Sequence, residues 1–374
     1  MENPQKDPFE EYLKETEPGK RDRGYAWHTA IGLQAVDGLI PSDYLKETAK
    51  KNIEGDISLD QAQTLIETYY QENPKREEER TKEADLVSVR IAMLLSEKAF
   101  VFSSTQYLSI HRRLFEGIYA HAGKIRDYNI TKKEWVLDGD TVIYGGASEL
   151  KATLEYDLSQ EKGYSYRGLT MTEVIRHLAV FVARLWQIHI FGEGNTRTNA
   201  VFFIQYLRTL GFAVTNDIFA RHAWYFRNAM VRANYNDLKR GIHETTVYLE
   251  LFLRNLLLEE RHELHNRAMH ISGAFSFVPE QDDPINDPIN DPINDPINDP
   301  IKLSDREKLL LQQLRRSPDL TRKELAEILH CSESTVKRIL QSLSERKVIL
   351  RIGSRKTGVW VIGDSADLNG DSKF

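Results

Sequence analysis

Between His189 and Asn199 the chain brings together a base (His189), a carboxylate (Glu193), two glycines (Gly192, Gly194), an amide (Asn195) and a cation (Arg197). Glycines let backbone N–H groups turn toward one point, and a helix start adds unpaired donors and the positive end of its dipole. Gly192, Gly194 and Asn195 thereby make a cradle for an anion, with Arg197 one turn further on to hold a phosphate bidentately. Glu193 does not favour a phosphate by itself, but it can hold a divalent cation that the phosphates share. His189, at the loop entry, can take a proton from an incoming hydroxyl. Each residue alone has a plainer reading, His189 as a satisfied core histidine and Glu193 as a helix N-terminal carboxylate. Their joint spacing points to transfer of a phosphate-containing group.

The flanking segments must position these groups, and both read as helices. Upstream, Thr170-x-x-Glu173 has the form of a capping box, and Val174, Leu178, Phe181, Leu185 and Ile188 follow at helical spacing. Downstream, Ala200, Phe203, Ile204, Leu207 and Leu210 repeat the pattern until Gly211, where a stop is expected. The chemistry therefore sits in a loop between two core helices.

His189-x-Phe191-x-Glu193-Gly194-Asn195-x-Arg197 resembles the signature of the Fic (Fido) family. Two positions depart: Thr196 stands where the family usually has Gly or Lys, and Ala200 where it has a second Arg. The resemblance implies a mainly α fold over about 85–270, a helical bundle with a short β-hairpin flap. It also implies transfer of AMP from ATP, with Mg²⁺, to a Ser, Thr or Tyr hydroxyl of a target protein. His189 would be the general base, Gly192, Gly194, Asn195 and Arg197 the nucleotide and phosphate contacts, and Glu193 the metal ligand. The family's second Arg binds the donor's terminal phosphate and receives an inhibitory glutamate. Here Ala200 replaces it, and Leu33 and Lys50 stand where an inhibitory motif ending at Asp37-Gly38 or Glu54-Gly55 needs Ser or Thr. Transfer of another phosphate-linked group from a different nucleotide, or nucleotide sensing by a DNA-binding regulator, are the alternative readings.

Asp138-Gly139-Asp140, between the β-prone runs Trp135-Val-Leu and Thr141-Val-Ile-Tyr144, is a hairpin signal. In the resemblance it is the flap, with Val142, Ile143 and Tyr144 docking the target segment as an added strand; a plain surface hairpin is the other reading. Ala122-Gly-x-x-Arg126, before it, is similar to the turn that precedes the family's flap. His111-Arg-Arg113 reads as the polar face of a helix spanning 97–119, and 244–266 as a long closing helix. Trp224 to Asp237 reads mainly as core, with Asn228 and Tyr235 as pocket candidates.

The 374 residues carry a net charge of −6, 41% hydrophobic and 28% charged residues, as in ordinary globular proteins. One cysteine, Cys331, leaves no internal disulfide or cysteine-based zinc site. A polar N-terminus and the lack of any run of 18 apolar residues predict no leader and no membrane span, so the expected location is cytoplasmic. Domains are expected at 1–84 (an N-terminal arm to residue 23, then a small helical region similar to antitoxin modules or simply packing), 85–270 (Fic), 271–302 (linker), 303–363 (winged helix-turn-helix) and 364–374 (tail). The linker contains Asp-Pro-Ile-Asn repeated four times, which proline bars from helix and sheet.

From Lys302 to Gly363 there are 14 Lys/Arg against 7 Asp/Glu, a balance of +7 that leaves −13 for the rest. Three amphipathic helices, the first marked by Leu309, Leu310 and Leu314, and two short strands resemble a winged helix-turn-helix. Its third helix would then present Ser334, Lys337, Arg338 and Gln341 to DNA, while Arg355 and Lys356 of the wing reach phosphates. Winged domains also dock proteins; the basic charge favours DNA.

Overall fold

The computed structural model describes residues 18–72, 79–214, 217–272, 305–318, 320–329, 331–345, 349–352 and 359–362. The Asp-Pro-Ile-Asn repeats, Arg355 and Lys356 lie outside the described residues. These residues divide into two compact units, 18–127 with 131–272, and 128–130 with 305–362.

The first unit is almost entirely helical. Helix α1 (Pro18–Gly32) runs into a 3₁₀ turn (Leu33–Asp37), followed by α2 (Asp43–Glu54), α3 (Leu59–Glu72) and α4 (Glu79–Ser96). Within the expected arm to residue 23, the described residues 18–23 are helical. Arg23 binds it down by donating twice to the Ile53 carbonyl (3.0 and 2.8 Å). Trp27, fully buried, donates to Asn52. Buried Asp85 on α4 accepts from the Ser42 amide and hydroxyl and from Tyr70, tying two N-terminal segments to α4.

Helix α5 (Ser104–Phe115) is shorter than the 97–119 expected, because Ser103 accepts from the Gln106 N–H and caps it there. Helix α6 (Leu150–Gly163) has no counterpart among the sequence expectations. Helix α7 (Met171–Ile188) starts at the expected capping box, with both reciprocal bonds formed. Helix α8 (Asn195–Thr209) ends just before Gly211, whose φ of 93° is the left-handed stop its composition predicts. After a short helix α9 (Ile218–Arg221), α10 (Ala223–Ala233) and α11 (Val247–Leu258) complete the bundle. The closing helix stops at Glu259, which turns left-handed (φ 55°), and a 3₁₀ turn (Asn266–Met269) follows.

The flap differs from a β-hairpin. Asp138 (φ 55°) and Gly139 (φ 79°) make the reversal expected of Asp-Gly, yet its arms pair through a single bridge, Glu134 with Asp140. The first arm coils into a 3₁₀ turn (Trp135–Leu137) that buries both Val136 and Leu137, and the Val136 carbonyl accepts from Ile271 instead of a facing strand. The second arm lies on the end of α7: Gln187 donates its side-chain amide to the Ile143 carbonyl and accepts from the Gly145 N–H.

The second unit has helices α12 (Asp305–Arg316), α13 (Arg322–Ile328) and α14 (Glu333–Glu345). Strands β1 (Ile349–Ile352) and β2 (Val359–Ile362) pair antiparallel with Arg351 opposite Trp360. Its core includes Leu310, Leu311, Leu314, Leu325, Val336, Leu340 and Leu343. Leu309, expected inside, is exposed, and Leu311 takes its place.

Candidate active site

The loop between α7 and α8 is held from three sides. His189 caps α7 in the left-handed conformation (φ 48°, ψ 53°), unusual for a non-glycine residue. Arg126 fixes it there: its Nε donates to the His189 carbonyl (2.7 Å), a terminal nitrogen donates to the Gly145 carbonyl (2.5 Å), and its main-chain N–H donates to Ile190. The turn singled out at 122–126 is thus a brace between flap and loop. His111, read as part of a polar face, is fully buried. Its Nδ1 accepts from the Gly123 N–H (2.7 Å), which leaves the proton on Nε2 to donate to the Glu193 carbonyl (2.9 Å). Burial pushes its pKa down to about 3, so the ring is neutral.

Asn195 braces the loop from within. Its Oδ1 accepts from the Phe191 N–H (3.0 Å) and its Nδ2 donates to the Phe191 carbonyl (2.8 Å), so its side chain is engaged by the loop's own backbone. Gly194 is the N-cap of α8 at φ 74°, and a Cβ there would come within 2.4 Å of the Phe115 ring. Gly192 is buried but is not among the left-handed glycines. The first helical bond runs from Thr198 to Gly194, so the N–H groups of Asn195, Thr196 and Arg197 have no partner within the helix. Thr196, one of the two departures from the family pattern, accepts from the Trp186 indole (3.0 Å).

His189 is buried, and neither ring nitrogen has a hydrogen-bond partner among the described residues. Its ring lies against Tyr144 (4.4 Å between centroids) and edge-on to Trp186 (5.2 Å). Burial holds its pKa well below 6.5, and the charges of Lys132, Arg126 and Arg227 act in the same direction. The imidazole is therefore neutral at neutral pH and able to accept a proton. Tyr144 is kept over it by donating to Glu134 (2.8 Å), a fully buried carboxylate whose other oxygen pairs with Arg227 (2.7 Å).

Of the expected flap contacts, Val142 and Tyr144 point inward and are buried, while Ile143 is 84% exposed. Tyr235 donates to Asp140 and so clamps the flap turn, whereas Asn228 is buried and donates to Asn266 in the core.

Arg197 departs most from expectation. It is fully buried and its guanidinium faces the N-terminal helices, paired with Asp37 (2.7 Å) and Glu83 (2.6 Å) and donating to Gln34 and Tyr119. Phe115 stacks beneath it at 4.8 Å. These anions keep it charged despite burial. A phosphate reaching Arg197 has to displace or share these partners.

Glu193 is the loop's carboxylate, with its side chain 31% exposed. Among the described residues no group of three or more His, Cys, Asp or Glu side chains forms a ready metal cage. A single carboxylate suits Mg²⁺, which takes one or two protein oxygens and completes its shell with substrate phosphates and water. Sequence reasoning missed Lys132, a buried lysine whose Nζ lies 3.5 Å from Glu193. Its neighbour Lys133 makes the pair look like a solvated charge run.

The helical bundle thus presents a neutral buried histidine beside a glycine-capped helix start. Residues 101–207 match the Fic/DOC family, and residues 306–358 match a helix-turn-helix (HTH) domain family. The chain therefore carries a Fic domain followed by a C-terminal helix-turn-helix domain, and its fold is mainly α. No curated protein matches the chain. Among the described residues no helix is long and apolar enough to cross a membrane. In the second unit Ser334, Lys337, Arg338 and Gln341 are all exposed on α14, opposite the buried Val336 and Leu340.

Proposed function

We propose that the Fic domain transfers AMP from ATP to a Ser, Thr or Tyr hydroxyl of a target protein. The observation that carries this reading is His189, a buried, neutral imidazole with two unpartnered nitrogens beside a helix start that offers N–H donors. Leaving such atoms unpaired costs about 1–3 kcal/mol, a strain characteristic of reacting sites. In the proposed step the target hydroxyl donates its proton to His189 as its oxygen attacks the α-phosphorus. The new O–P bond forms as the bond to pyrophosphate breaks, and the backbone at Gly194–Thr196 stabilises the charge on the phosphoryl oxygens. Glu193 would hold Mg²⁺, which when bound neutralises phosphate charge. The target segment would lie along the flap beside Ile143, whose side chain faces solvent. The C-terminal domain would bring the enzyme to DNA through Lys337, Arg338 and Gln341, with Arg355 and Lys356 as the expected wing contacts.

Ala200, fully buried, and the engagement of Arg197 favour keeping a second donor class in view, a nucleotide without a terminal phosphate. Incubation with Mg²⁺ and ATP labelled at the α or the γ position separates the readings. Label held on protein from α and not from γ is the expected result. Label only from another nucleotide supports the second donor class, and no label from any nucleotide removes the transferase reading.

A further inference from the structure

We propose that Lys132 is a donor-binding residue, the cation that meets the phosphates beyond the α position. The inference rests on the transfer reading above. A polyphosphate needs cations, and α8 supplies few: Arg197 is the only Lys or Arg between Asn195 and Leu207, and it is committed to Asp37 and Glu83. The cations that act on His189 are Lys132, Arg126 and Arg227. Arg126 is spent on main-chain carbonyls of the loop and flap, and Arg227 on Glu134. Lys132 stands at the loop itself: its ammonium lies 3.5 Å from the Glu193 carboxylate, and the residue is only 8% exposed.

A buried ammonium gains from every anion brought to it, because little water screens the interaction. Lys132 is anchored through its main-chain N–H, which donates to the Thr141 hydroxyl (3.3 Å) across the flap. The flexible four-carbon stem lets Nζ move from Glu193 toward an incoming phosphate. The cation therefore comes from the flap and not from the motif helix, so the segment next to the target would also grip the donor.

The test reads nucleotide binding in the full chain carrying His189→Ala, where turnover does not interfere. Adding Lys132→Met is expected to weaken ATP binding by about tenfold or more, the range for a charged hydrogen bond, and to leave AMP binding nearly unchanged. Lys132→Arg is expected to restore most of the preference for ATP. Undiminished ATP binding in Lys132→Met, or an equal loss for ATP and AMP, overturns the inference alone. Absence of ATP binding in the parent overturns this inference and the ATP-donor reading together. Should Lys132→Met fail to fold, amine acylation followed by mass spectrometry on the parent chain decides. ATP is expected to slow acylation of Lys132 more than AMP does, and equal rates contradict the proposal.

Discussion

At the scale of residues, the account turns on histidines that the fold keeps neutral. His189 and His111 both have pKa values pushed below 6.5 by burial. The unfolded chain binds these protons near pH 6.5 and the folded chain does not, so the unfolded state holds more protons as the pH falls. Stability is therefore lost on acidification below about pH 6.5, at up to about 1.4 kcal/mol per pH unit for each such histidine. Urea unfolding between pH 7.5 and 5.5 is expected to show this slope, and His189→Ala to reduce it by about one proton's share. Gly194 makes a steric demand that is just as local. Gly194→Ala forces a Cβ into the Phe115 ring at a left-handed backbone position and is expected to cost roughly 1–3 kcal/mol or more. Chemical denaturation measures it, and Phe115→Leu in the same chain is expected to recover only the part owed to the clash.

At the scale of elements, local signals were legible and paired surfaces were not. The capping box at Thr170 and Glu173, the loop at 189–197 and the stop at Gly211 follow from neighbouring residues, and the structure has all three. Thr170→Ala is expected to cost about 1 kcal/mol, readable as a shift in urea midpoint with the fold retained, because the cap is exposed. The flap was misread for the complementary reason. Asp-Gly fixes the reversal locally, but Ile271 and Gln187, distant in sequence, take the bonds that would have paired its arms. His111 was hidden by the two arginines after it, since its partners Gly123 and Glu193 come from elsewhere in the chain. Lys132 was hidden by Lys133 in the same way.

At the scale of the whole molecule, the N-terminal helices and the motif share one cation. Arg197 reaches Asp37 and Glu83, a contact that no spacing rule could reveal, and the N-terminal region is therefore bonded to α8 as well as packed nearby. The C-terminal domain offers a separate test. If α14 reads a DNA groove, Lys337→Ala and Arg338→Ala are expected to weaken DNA binding and, for each phosphate contact removed, to lower the salt slope of log K by about one. Fluorescence anisotropy over a salt series measures it, and unchanged binding would assign the exposed face to a protein partner. The central claim is narrower and can be met directly: His189 removes the proton from the hydroxyl that accepts the nucleotide group. The measurement is the rate of label transfer from α-labelled ATP to protein, comparing the natural chain with His189→Ala at equal folded fraction. A loss of about 10²-fold or more is expected, whereas transfer at an undiminished rate in His189→Ala would contradict the account.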